Sequence, residues 1–190
     1  ISHSERTPGA DRDGKHQMYG LQSWIALPAG KEEIAPSFQH YAAEEMPIIA
    51  DNGVKARVIA GSAFGKTSPV AMGSDWFYVE VTLGAGMSVP LDADHEERAI
   101  YVVSGEVEIA GDRFEGPRLL IFKPGDRITV RATQPSVMMF LGGAALEGPR
   151  YIWWNFVSSS KERIEQAKED WKRGRFGQVP DESEFIPLPE

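Results

Sequence analysis

Between residues 76 and 156 the chain is built of short alternating runs rich in Val, Ile, Tyr, Phe and Trp, separated by Gly and Pro turns. A period of two places successive side chains on opposite faces of a strand, so these runs suit half-buried β-strands rather than helices. In WFYVEVTL, Phe77, Val79, Val81 and Leu83 point one way while Trp76, Tyr78, Glu80 and Thr82 point the other. AIYVVSGEVEI carries the alternation through Tyr101 and Val103, breaks at Gly105 and resumes at Val107 and Ile109. AGDR at 110–113 is a hairpin turn signal, and Pro124-Gly125 suits the centre of a type II turn. VMMFLGG and RYIWWNFV supply two more strands. Evenly spaced antiparallel strands with no helix between them predict an all-β sandwich or barrel, placed over residues 56–157.

The flanks follow other rules. SSSKERIEQAKEDWKRGRFG reads as a helix, with Ser159-x-x-Glu162 as a capping box and Ile164, Ala167 and Trp171 as its apolar stripe. It stops at Gly174 or Gly177, and VPDESEFIPLPE, with three prolines, follows as an extended tail. LPAGKEEIAPSFQHYAAEEMP has the Pro and charge density of a linker. The chain therefore divides into residues 1–28, a linker at 29–55, the strand-rich body at 56–157, and a helix with its tail at 158–190.

Composition narrows the chemistry. The 190 residues carry a formal net charge of −8, an unfavourable field for phosphate, so direct nucleic-acid binding is not expected. No stretch approaches the ~18 consecutive apolar residues of a membrane span, and no membrane partner is expected. With no cysteine, disulfides, thiol nucleophiles and sulfur-ligated metals are excluded from the sequence, leaving His and carboxylates as strong ligands.

GSAFGKT echoes a phosphate-binding loop, but Gly61 and Gly65 enclose three residues where four are needed, and Ser68-Pro69 blocks the helix that would follow. DHEER at 94–98, which includes His95, reads as a solvated loop before a strand. Lys168, Lys172, Arg173 and Arg175 read as a solvated helix face, and His16 and His40 suggest nothing specific. His3 and Glu5 remain. At i and i+2 of a strand they would share a face and could bind one ion, Fe(II), Mn, Ni or Zn by donor type. Taken alone, the pair reads first as two polar side chains on a terminus.

The ordered run HSER, GLQSWIALPAGKEEIAPSFQHY, SPV, DHEERAIYVVSGEVEI and NFVSSSKERIEQAKEDWKRGRFG resembles the pirin family of the cupin superfamily. It spans essentially the whole chain and corresponds to the C-terminal two-thirds of a family member. The resemblance implies the C-terminal jelly-roll barrel of a bicupin, a remnant of the N-terminal barrel at 1–28, and a C-terminal α-helix. It implies a metal, Fe(II) in the first instance, held by three His and one Glu, with His3 and Glu5 matching the second ligand pair. The first His pair would lie in an upstream segment that acts as an intramolecular partner. The expected activity is that of a metal-dependent quercetin 2,3-dioxygenase acting on a flavonol, with Glu5 as ligand and base; the 190-residue chain alone would be inactive. The alternatives are an iron-dependent redox-sensing regulator acting on protein partners, or a non-catalytic binding module. A cytoplasmic location is implied. In the second barrel, Arg98 stands seven residues before Gly105, where a metal-binding cupin carries Glu, and no His follows His95. No metal is expected there, only a pocket lined by apolar and aromatic side chains.

Overall fold

A computed structural model describes residues 3–5, 7, 14 and 19–190. The alternating runs become β1 (Ile48–Asp51), β2 (Val54–Ala60), β3 (Ser62–Ala63), β4 (Lys66–Thr67), β5 (Trp76–Leu83), β6 (Ser88–Leu91), β7 (Glu97–Ser104), β8 (Glu106–Ile109), β9 (Asp112–Glu115), β10 (Arg118–Phe122), β11 (Ile128–Ala132) and β12 (Ser136–Gly143). A six-stranded sheet runs β1-β2-β5-β12-β7-β10, and a four-stranded sheet runs β6-β11-β8-β9. Every pairing is antiparallel. β12 lies between β5 and β7, so strands distant in sequence meet at the centre of the larger sheet, the crossing that makes a jelly roll. These strands belong to one compact unit, Gln39–Ala145. The segment read as a linker thus carries β1 at its end, paired with β2.

The core between the sheets is supplied by every second residue. Phe77, Val79, Val81 and Leu83 of β5 face inward as the alternation requires. In β7 the inward set is Arg98, Ile100 and Val102, so Tyr101 and Val103 take the other face. Gly105 (φ 87°) then reverses the phase, which lets Val107 and Ile109 rejoin the same core. Only a glycine fits there: the backbone is left-handed, and a Cβ would crowd Ser136 Oγ and lie 2.5 Å from the Pro135 carbonyl. Ala110 (φ 53°) and Gly111 (φ 91°) form the β8–β9 turn, as the AGDR signal predicts.

The second unit joins the described residues of Ile1–Phe38 to Leu146–Glu190. The proposed barrel remnant at 1–28 lies partly outside the described residues, as does His16. RYIWWNFV is not one strand but a hairpin, β13 (Tyr151–Trp153) and β14 (Phe156–Ser158), because Trp154 takes a left-handed conformation (φ 49°) and turns the chain. Helix α1 (Lys161–Lys172) follows, burying Ile164 and Ala167. Its N-cap is Ser160, whose Oγ accepts the Arg163 N–H at 3.2 Å, rather than Ser159. Ser159 is engaged elsewhere: its N–H and hydroxyl both donate to the Glu32 carboxylate.

Glu32 is a clasp in this unit. Its carboxylate also accepts the Ser158 hydroxyl at 3.0 Å and pairs with Arg150 Nε at 3.1 Å, while Arg150 Nη2 donates to the Leu27 carbonyl at 2.9 Å. Burial opposes ionisation of Glu32, but the Ser159 N–H, the two hydroxyls and Arg150 outweigh it and hold the carboxyl below its usual range. Beside it, Arg163 Nε lies 2.6 Å from Glu33, which lowers the Glu33 pKa and raises that of Arg163. Lys168 departs from the solvated helix face expected for it: its ammonium sits 4.2 Å from the centroid of the Trp153 ring, a cation–π contact. Lys172, Arg173 and Arg175 are exposed as expected.

Candidate functional site

His3 and Glu5 are both exposed and lie outside any strand, separated by Ser4. Among the described residues no group of three or more His, Cys, Asp or Glu side chains could hold a metal ion. The donor types are right for a mixed His and carboxylate site, but two donors make an incomplete set. A defined centre on this pair needs further ligands from outside the described residues.

The other candidate is the mouth of the barrel, where a cavity of about 220 Å³ opens. Inward-facing Phe77, Val79 and Phe140 line it together with Leu91, each at most 6% exposed. The β3–β4 hairpin forms one wall through residues 62–65, where Phe64 and Gly65 make a turn of two left-handed residues. GSAFGKT is therefore a tight hairpin, with Ser62 and Thr67 hydroxyls 2.9 Å apart, and not a phosphate loop. Apart from Ser62, the polar part of the lining comes from the loop after β6: Asp92, Asp94 and His95.

Two members of DHEER are not solvated. The His95 ring is tilted over Phe77, with centroids 5.0 Å apart, and its Nε2 lies 3.1 Å from Asp75 Oδ1. Arg98 is 2% exposed. Its Nη1 donates to the carbonyls of Asp126 (2.7 Å) and Asp92 (3.2 Å), and its Nη2 to that of Lys123 (3.0 Å), leaving Nε buried without a partner. A guanidinium has donors only, so this residue ties two loops to β7 and offers a metal no lone pair. The charge run concealed this, although a signal existed: counting back by two from Ile100 puts Arg98 on the core face of β7.

Residues 78–177 match the family model described as the Pirin C-terminal cupin domain. A pirin-like protein of Caulobacter vibrioides is 48% identical over 193 aligned positions, covering all of this chain and 66% of that protein. A pirin-like protein of Solanum lycopersicum is 28% identical, covering 93% of this chain and 61% of its own length. The chain thus spans less than two-thirds of the length of either relative. Among solved structures, a quercetin 2,3-dioxygenase from Acinetobacter baumannii superposes with a TM-score of 0.77 at 25% identity, over 88% of this chain and 57% of that one. A two-sheet jelly roll, a terminal helix and a family model matching more than half of the chain agree: this chain belongs to the pirin family of cupin proteins.

Proposed function

We propose that the full-length protein is a metal-dependent oxidoreductase of the quercetin 2,3-dioxygenase type, in which His3 and Glu5 provide two of the metal ligands. The likeness to the Acinetobacter baumannii quercetin 2,3-dioxygenase, which extends over most of this chain, carries the reading. His3 would contribute an imidazole nitrogen and Glu5 a carboxylate oxygen, both on exposed side chains. Two histidines from an upstream segment would complete the set. Fe(II) in such a site supplies Lewis acidity and the redox chemistry that dioxygen requires. Glu5 would also act as base, taking the flavonol 3-hydroxyl proton on a carboxylate oxygen and giving it up on product release.

Metal analysis and oxygen uptake test the proposal. The full-length protein should bind a stoichiometric divalent metal and consume dioxygen with quercetin. His3→Ala should lower metal affinity by more than the roughly 10- to 100-fold typical of losing a mere second-sphere partner, while His40→Ala leaves it unchanged. The 190-residue chain alone should hold iron weakly and lack activity, since it offers two ligands of the four. Stoichiometric iron on the chain alone that survives His3→Ala would overturn the ligand assignment. A metal-loaded full-length protein that takes up no oxygen with flavonols would overturn the activity.

A further inference from the structure

The cavity in the barrel mouth has no role in that proposal, and its lining has a chemistry of its own. Its floor is apolar and partly aromatic: Phe77, Val79, Leu91 and Phe140 are all core residues. Its carboxylates converge on one side, where Asp92 and Asp94 stand beside His95, while Ser62 lies on the hairpin wall with its hydroxyl paired to Thr67. The imidazole is held in place from two directions, by the Phe77 ring and by Asp75. Among the described residues, no Lys or Arg lines the cavity. Arg98, the basic residue nearest to His95 in sequence, gives both of its terminal nitrogens to the carbonyls of Asp92, Lys123 and Asp126, and Lys66, which follows Gly65, is exposed and not part of the lining.

We infer that this cavity binds a small organic cation bearing a single aromatic ring, an arylalkylamine in class. Size sets the first limit, because a volume of about 220 Å³ falls below the roughly 300–1,000 Å³ of pockets for drug-sized ligands. One ring with a short chain fits; a fused polycycle does not. Lining sets the second limit. An aromatic ring gains offset or edge contacts with Phe77 and Phe140, while an ammonium reaches the carboxylates of the rim. Charge sets the third, since Asp92 and Asp94 attract a cation and repel the isosteric anion. A site of apolar walls with a few convergent polar groups is how small-molecule pockets are generally built, and here two of those groups, Asp92 and Asp94, are carboxylates.

The test uses the 190-residue chain without metal, so its outcome is independent of the proposed dioxygenase centre. Backbone amide chemical shifts are followed by NMR during titration with 2-phenylethylamine, with neutral 2-phenylethanol and with anionic 3-phenylpropionate. The amine should perturb the amides of Phe77, Leu91, His95 and Phe140, and it should bind roughly tenfold or more tighter than 3-phenylpropionate. Asp94→Asn, a change on an exposed side chain, should weaken the amine about two- to fivefold, as expected for a partly solvated ion pair, and leave the alcohol unaffected. Ser62→Trp, which fills the mouth from the exposed wall, should abolish binding of all three while the barrel amides keep their dispersion. If that variant fails to fold, Asp94→Asn still decides. The inference is overturned if the anion or the alcohol binds as tightly as the amine, if the perturbed amides lie elsewhere, or if none of the three compounds binds.

Discussion

Arg98→Met removes a buried guanidinium while keeping an unbranched apolar stem in β7. Three charge-assisted hydrogen bonds are lost, to Asp126 (2.7 Å), Lys123 (3.0 Å) and Asp92 (3.2 Å). Bonds to charged groups contribute about 1.5–3 kcal/mol each. The three acceptor residues are exposed, so water can take over part of each carbonyl, and about 1 kcal/mol per bond is a reasonable residue of that figure. Against this sum of about 3 kcal/mol stands relief from burying a charge with one unpaired N–H, which offsets part of the loss. The net expectation is a destabilisation of about 2 kcal/mol for Arg98→Met, and about 4 kcal/mol for Arg98→Ala, which also leaves a cavity. Native-state amide exchange at Val79, Val102 and Phe140 reads the barrel unit directly, without assuming that the two units unfold together. A loss of about 2 kcal/mol should accelerate exchange about 30-fold there. If Arg98→Met leaves those amides within twofold of the parent, the carbonyl staple does not hold the barrel mouth and the reasoning fails.

Two further predictions concern the helical unit. Trp171 stacks on Phe185 (centroids 5.4 Å apart), meets Trp154 edge-on (5.3 Å) and donates its indole N–H to the Ile186 carbonyl at 2.8 Å. Because the ring is only half-buried, Trp171→Ala should cost about 2–4 kcal/mol, below the full range for a core tryptophan; a loss under ~1 kcal/mol in the exchange of the α1 amides would show that the stripe adds little. Glu32 and Glu33 have lowered folded-state pKa values, so their stabilisation is complete above the ordinary carboxylate range and is lost as pH falls through the depressed values. Acid titration should therefore loosen the Glu32 clasp only below that range, seen as faster exchange at the Ser159 amide. Glu32→Gln should show fast exchange there already at neutral pH, and identical profiles for parent and variant would refute the clasp.

Alternation marked the strands from β5 onward, because a period of two has one structural solution when each run is bounded by turns, whereas β1 fell in a segment read as a linker. The inward set of β5, the β8–β9 turn and the stripe of α1 all follow from spacing. The proposal for His3 and Glu5 comes from the family resemblance, and the further ligands it requires would lie outside the described residues. Tertiary structure decided what spacing cannot encode: which partner a polar group finds. Ser159 is the better cap by sequence, with Glu162 three residues on, yet Glu32, more than a hundred residues away, takes Ser159 and leaves the helix to Ser160. Arg98 and Glu97 are neighbours in one charge run, yet the pleat turns one into the core, where three carbonyls receive it, and the other into solvent. The cavity at the barrel mouth is of the same kind. Its floor comes from β5, β6 and β12, one wall from the β3–β4 hairpin and its rim from a loop, and only the folded chain brings those five segments together. Local pattern sets the face on which a side chain lies, whereas burial, pairing and enclosed volume depend on contacts between residues far apart in the chain.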